Sequence, residues 1–432
     1  MTTGKILILA VCATMLAACA EAPEEVREEI SIYDAAEAVE KADIRKASFE
    51  EVLEEARELS QTNGTNVKIE SIILPESEAM PTYTLELDSA GQEELFAALT
   101  ECDELSLQGG YKVELGGDID SWRSSRERTF TYGPELPAKV LYKDKDSIKI
   151  SDSGIYYNYE LISVDGGITT LFSSFASPDT MPPQTYSAEG RYYTDLKATD
   201  DSYTLYDGSA MTVAEAAEMA EGFANSCFSK AELSQFTYQA DYIDARRIED
   251  DRFGMYIVLC RRDSRGSLFD SSYGYLFDLD RPEHPILNGI IYLWVTGSGR
   301  IEELEHHYPL KITEERENSE YVTLGSAVEI LSYVLAQGTA YDIRRCTLKY
   351  VPVFTDSDYE RDARAFRDSL PEEDRSLVQI SPEAICRYGS YTLEARPCWV
   401  FETCSGSGTQ TNCGTVYIID ALSGELRIER II

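Results

Sequence analysis

Histidine is almost missing from this chain: His284, His306 and His307 are all it has. None of the three stands in a His-Glu-x-x-His spacing, so zinc-hydrolase sites of that kind are excluded, and a Ser-His-Asp triad has little to draw on. His306 and His307 are neighbours on an expected strand, so they point to opposite faces as strand-end residues instead of converging. No Cys-x-x-Cys occurs, which removes thioredoxin-type and zinc-ribbon sites. No Gly-x-Ser-x-Gly elbow, Gly-x-Gly-x-x-Gly fingerprint or Walker loop occurs either. Gly297-Ser298-Gly299 and Gly406-Ser407-Gly408 do not link a strand to a helix, so they read as turns. With no catalytic or cofactor motif, the expectation is a protein that is not an enzyme and carries no cofactor.

Positive charge is also scarce. The chain has 39 Lys and Arg against 77 Asp and Glu, a net charge of -38. Such a surface repels nucleic acid and anionic headgroups, so no nucleic-acid partner is expected. It suits a body held off a membrane or set in cation-rich surroundings such as a cell wall. Paired acids at Asp144, Asp146 and Asp152, and at Asp356, Asp358 and Asp362, have oxygen ligands at calcium-like spacing. They lack the glycine and closing Glu of an EF-hand loop, and solvated turns are the better reading. Paired carboxylates for glycoside hydrolysis depend on a separation in space that sequence does not give.

Long apolar runs are missing too. The longest at the start, Ile6 to Ala18, is broken by Thr14 and is too short to span a bilayer. It follows Lys5 and ends in Leu16-Ala17-Ala18-Cys19, which reads as a bacterial lipobox: a secretory apolar segment, small residues, then the cysteine to be lipidated. Cys12 fits less well because branched Val11 precedes it. An ordinary signal peptide with an incidental cysteine is the alternative. The expectation is a diacylglyceryl group on Cys19 that holds the mature chain to the membrane on its extracytoplasmic face.

Beyond Cys19 the chain divides by pattern. Residues 1–18 are the signal, 19–47 an acidic tether and helical start, 48–200 a β-rich N-terminal domain, and 209–318 and 319–432 two α+β units. Ile32 to Arg57 has helical spacing. Within it Ser48 is an N-cap with Glu51 at the capping-box position, and Val52, Leu53, Ala56 and Leu59 form the apolar stripe. Alternation marks strands at Val67–Ile69 and Tyr83–Leu87, a helix follows near Gln92–Cys102, and Lys139 to Leu161 reads as a meander. Ser173 to Gln184 is rich in Ser and Pro, and the linker zone is expected from there to about Ser209.

The C-terminal half carries a degenerate repeat. Thr212-Val213-Ala214-Glu215-Ala216 and Thr323-Leu324-Gly325-Ser326-Ala327 each place Thr at a helix N-cap and Ala four residues on. Long strands follow in both copies, and each closes on a hairpin with a Ser-Gly turn, at Gly299 and Gly424. The two units are expected to superpose, Thr212 on Thr323 and Gly299 on Gly424, each helix across its own antiparallel sheet. The fold class is therefore α+β, with mainly antiparallel sheets each covered by a helix.

The closing segment, Val416-Tyr417-Ile418-Ile419-Asp420-Ala421-Leu422-Ser423-Gly424-Glu425-Leu426, resembles the final hairpin of PepSY-type domains. The order of signal, β-rich segment and two helix-plus-sheet units ending in Pro397-Cys398-Trp399-Val400-Phe401 is similar to uncharacterised exported lipoproteins of clostridial-type bacteria. More loosely it is similar to the YycH and YycI regulators of a cell-wall sensor kinase, which use a transmembrane helix where this chain has Cys19. The resemblance implies binding or regulation at the cell envelope, by contact with another envelope protein or a cell-wall component. The alternatives are a transporter's solute-binding lipoprotein and a carboxylate-dependent envelope hydrolase.

Two side-chain readings complete the analysis. Tyr outnumbers Phe, 28 to 14, which fits half-buried strand positions, with a peptide or glycan surface as the alternative. Most of the cysteines fit apolar strand or helix patterns as buried thiols. Cys404 and Cys413 differ. They flank Ser405–Asn412, a polar loop with no apolar anchor, between strands Trp399–Thr403 and Val416–Ile419. If those strands pair directly, the cysteines meet at the loop base within roughly 4.4–6.8 Å, where a disulfide would add about 3 kcal/mol. A pair of reduced thiols is the alternative.

Overall fold

A computed structural model describes residues 42–59, 67–87, 112–115, 139–143, 146–151, 154–157, 163–164, 167–168, 188–193, 200–228, 235–249, 251–270, 291–297, 300–307, 310–335, 341–355, 365, 368, 392–405 and 412–430. The lipobox with Cys19, the tether, the helix expected at 92–102, the Gly299 turn and the acidic clusters apart from Asp146 lie outside these residues.

In chain order the elements begin with β1 (Lys46–Ala47), α1 (Phe49–Leu59), β2 (Val67–Ile69), β3 (Ile72–Ile73) and β4 (Thr82–Leu87). Next come β5 (Lys112–Leu115), β6 (Lys139–Lys143), β7 (Asp146–Ser151), β8 (Gly154–Tyr157), β9 (Ser163–Val164), β10 (Gly167–Ile168) and β11 (Ala188–Tyr193). The middle holds β12 (Ser202–Thr204), β13 (Ala210–Thr212), α2 (Val213–Cys227), β14 (Thr237–Glu249), β15 (Arg252–Arg262), β16 (Ile291–Gly297), β17 (Arg300–His307) and β18 (Leu310–Arg316). The last elements are β19 (Tyr321–Val322), α3 (Leu324–Val334), β20 (Tyr341–Thr355), β21 (Thr392–Ser405), β22 (Asn412–Asp420) and β23 (Leu426–Arg430).

Two large sheets carry this α+β architecture. The first has nine strands in the order β11-β14-β15-β16-β17-β8-β7-β6-β5, every neighbour antiparallel. The second has eight, with β18-β4-β21-β20-β2 as its main path, β22 and β23 continuing from β21, and β3 beside β20. Its pairings are antiparallel except where β2 and β3 run parallel to β20. In each sheet a helix precedes a four-strand antiparallel meander: α2 then β14 to β17, and α3 then β20 to β23.

Local chemistry explains where the helices begin. Thr212 caps α2 with a complete box: the Glu215 N–H donates to Thr212 Oγ1 at 3.1 Å, and the Thr212 N–H donates to Glu215 Oε2 at 2.8 Å. Thr323 caps α3 by accepting from the Ser326 N–H. Ser48 and Glu51 form the box at the start of α1. The buried side of α2 is narrow-bodied, with Ala216, Ala217, Ala220 and Ala224, which brings the helix close to β14 and β15. Val52, Leu53 and Ala56 of α1 and Ala327, Ile330 and Leu331 of α3 join Trp399, Phe401 and Ile419 in one core. The Trp399 indole donates to Val322 O at 2.9 Å, so the largest core side chain leaves no buried donor unmet there. At the closing hairpin, Asp420 Oδ1 accepts from the Leu422 and Ser423 N–H groups, and Gly424 takes φ +86 as the turn requires.

Three expectations change. The helix read from Ile32 is not continuous to Arg57, because residues 42–48 are not helical and Lys46–Ala47 pairs with Tyr321–Val322 as β1; the helix starts at Phe49, after its cap. The linker zone contains β11, hydrogen-bonded along β14, and β12, paired with β13. Sheet membership also does not follow the segment 48–200. Its strands β5 to β8 and β11 extend the first sheet beyond β17 and β14, and β2 to β4 build into the second beside β20 and β21.

Candidate functional site

Along β20 the residues alternate. Cys346, Leu348 and Tyr350 enter the main core, and Arg345, Thr347 and Lys349 occupy the other face. On a solvated strand that second face would be wet. Here Arg345 is 3% exposed and Thr347 and Lys349 are each 2% exposed.

Burying two cations requires partners, and three carboxylates supply them. Arg345 Nη1 lies 2.5 Å from Asp241 Oδ1 and its Nη2 2.5 Å from Glu402 Oε1, while its Nε donates to the same Glu402 oxygen at 3.1 Å. Lys349 Nζ stands 2.6 Å from Asp270 Oδ1 and 3.9 Å from Glu402. Burial works against both charges, but the carboxylates outweigh it, and both cations are held above their ordinary values. The groups come from both sheets: Asp241 from β14, Glu402 from β21, and Asp270 from the segment after β15. That segment runs beside β20, with the Asp270 N–H donating to Tyr350 O and the Tyr350 N–H to Leu268 O.

Backbone irregularities aim these side chains. Asp241 has no opposite number on β15, because the register steps from Ala240–Leu259 to Tyr242–Val258. This bulge lets Ala240 and Ile243 both face the α2 core, and Asp241 is turned to Arg345. The β20–β21 register shifts between Ile343 and Arg345, and the β21–β22 register shifts between Glu402 and Cys404. Bulges thus flank the ionic cluster on three pairings.

Beside the cluster lies a cleft of about 620 Å³. Glu221 and Asn225 of α2, Gln239 and Asp241 of β14 and Cys260 of β15 line one wall, and Arg345 and Thr347 of β20 line the other. The first wall is stiffened from within: the Asn225 amide bridges to both backbone groups of Tyr238, and Glu221 accepts from the Ala240 N–H. Burial pushes the Cys260 thiol up, so it remains protonated and is a weak nucleophile. Thr347 Oγ1 is buried and finds no hydrogen-bond partner among the described residues.

Of the residues singled out in the sequence, Leu16, Ala17, Ala18 and Cys19 lie outside the described residues. Strands β21 and β22 pair directly, and their register sets Cys404 opposite Cys413. Cys260, Cys346 and Cys398 are buried free thiols. Sequence reasoning passed over Asp241, Asp270, Arg345, Thr347, Lys349 and Glu402. The one signal available was two basic residues flanking Thr347 at strand spacing.

Comparison with known proteins adds little to this geometry. No protein-family model matches the chain, and no curated protein matches it. Among solved structures, the crystal structure of an uncharacterised protein from Eubacterium rectale is similar at 11% identity and a TM-score of 0.47, covering 94% of this chain and 100% of that one.

Proposed function

We propose that this chain is a lipid-anchored, extracytoplasmic binding or regulatory protein of the bacterial envelope, and that the inter-sheet cleft is its binding site. The observation that carries the binding reading is the cleft itself: a cavity walled by two sheets, with buried charges locked in place on its floor. Fixed, mutually paired charges suit holding a ligand, and a protonated Cys260 does not suit attacking one. The anchor rests on Leu16-Ala17-Ala18-Cys19. In this reading residues 209–318 and 319–432 are two related PepSY-like units, each a capped helix and a four-strand meander, and residues 48–200 extend both. The partner is another envelope protein or a cell-wall component. The cleft also favours the second reading, a solute-binding lipoprotein of a transporter.

The anchor is tested by fractionation and mass spectrometry. The native chain is expected in the membrane fraction with a lipid-modified N-terminus at Cys19, and Cys19→Ala should leave it unprocessed or soluble. A mature N-terminus elsewhere, without lipid mass, would rule out the anchor. Binding is tested by thermal shift of the purified chain against envelope fragments and small solutes, and no stabilisation by any of them would count against the cleft.

A further inference from the structure

We infer that the side chains of Lys349 and Asp270 condense into an intramolecular amide, a covalent tie between β20 and the segment that follows β15. Three observations bring the parts of that reaction to one place. The first is contact. Lys349 Nζ stands 2.6 Å from Asp270 Oδ1, and the carboxyl carbon is one bond from that oxygen. The second is the backbone around the pair. The Asp270 N–H donates to Tyr350 O, the Tyr350 N–H donates to Leu268 O, and Phe269 lies beside Tyr350 in parallel pairing. Lys349 and Asp270 are thus each one residue from a strand bridge that holds them together. Reacting groups fixed in this way behave as if present at up to about 10⁵–10⁸ M. The third is dryness. The two side chains are 3% and 5% exposed. Cys398, which stands across from Lys349 on β21, and Val351, two residues on, belong to a buried apolar cluster with Val400. Amide formation releases water, so a site that excludes water favours the bond.

The step balances with the groups present. The ammonium passes one proton to the Asp270 carboxylate, which leaves an amine and a carboxylic acid; burial favours this neutral pair over the ionised one. The amine lone pair forms the Nζ–Cγ bond. Glu402 Oε1, 3.9 Å from Nζ, takes a second proton from the nitrogen and returns it to a hydroxyl on Cγ. That C–O bond breaks with its electron pair, and the hydroxyl leaves as water. One ammonium and one carboxylate become one neutral amide and one water, nothing is oxidised or reduced, and Glu402 is restored. Arg345, bonded to the same Glu402 oxygen through Nε and Nη2, fixes this proton carrier in place. Ion pairing alone accounts for Asp241 on Arg345 and Asp270 on Lys349. Glu402 is the carboxylate that reaches both cations, and the condensation gives it a task.

Mass spectrometry of the purified full chain, denatured, reduced and digested with trypsin, tests the bond without any variant having to fold. Trypsin does not cut after an acylated lysine. Lys349 should therefore stay uncut in most molecules, and its peptide should be joined to the one that carries Asp270, at the summed mass less one water. Lys349→Arg and Asp270→Ala should each give two separate peptides with no water lost. Glu402→Gln, checked for a cooperative melt, should leave Lys349 free and cleavable. Full recovery of separate peptides from the folded wild type, with cleavage after Lys349, overturns the bond. A loss of water that persists in Lys349→Arg belongs to another site and overturns it as well. Joined peptides formed to the wild-type extent in Glu402→Gln overturn Glu402 as the proton carrier and leave the bond standing.

Discussion

Asp241 is an extra residue in its strand, and that irregularity decides what surrounds Arg345. It has no residue opposite it on β15, and its carboxylate shares the guanidinium with Glu402. As built, Arg345 holds two carboxylates together, and removing it strands both of them in a buried setting. Arg345→Met should therefore cost about 3–5 kcal/mol, read by urea unfolding. Adding Glu402→Leu and Asp241→Ala to it should recover much of that loss, since an uncharged cluster needs no counterion. A single-variant cost under about 0.5 kcal/mol would mean that water, not Arg345, satisfies those carboxylates. Arg345→Lys should fall between, because an ammonium cannot bind both carboxylates in the fixed fork that a guanidinium presents.

The elements differ in how openly their sequences announce them. Helix caps are local, and Ser48, Thr212 and Thr323 are legible from a few residues each. So is the Gly424 turn, since positive φ selects glycine. The long strands β14, β15, β20 and β21 are legible from apolar alternation. The candidate site is not legible, and β20 shows why. Arg345, Thr347 and Lys349 between core residues read as the wet face of a half-buried strand, and only the packing of a second sheet turns that face inward. The bulge at Asp241 also has no glycine or proline to mark it. The caps yield a prediction. Thr323→Ala should cost about 1 kcal/mol. For α1 and α2 the caps depend on acid: the backbone and side-chain hydrogen bonds of Ser48 and Thr212 hold Glu51 and Glu215 below the ordinary value of 4.5. A carboxyl lowered on folding stabilises above its unfolded value and loses that effect as pH falls through the folded one. NMR titration should find both glutamates ionising below pH 4.5, with the two boxes opening as they protonate. Either one titrating at or above that value would contradict the capping boxes.

At the scale of the whole molecule, the parts cannot be separated along the sequence. Strand β4 lies between β18 and β21, β2 and β3 sit beside β20, and α1 packs against α3. Residues 209–432 expressed alone should therefore lose the cooperative melt of the full chain and expose apolar surface to a hydrophobic dye. A sharp, wild-type-like transition would show that the early strands are dispensable. The pairing of Lys46 with Val322 and of Val67 with Tyr341 also sets a schedule. Strands β2 and β3 cannot find their partner until β20, at Tyr341–Thr355, has been made. Such long-range closure is slow and comes as one late event. An emerging chain of this kind cannot close its second sheet early, and its opening strands stay pliable until β20 follows them.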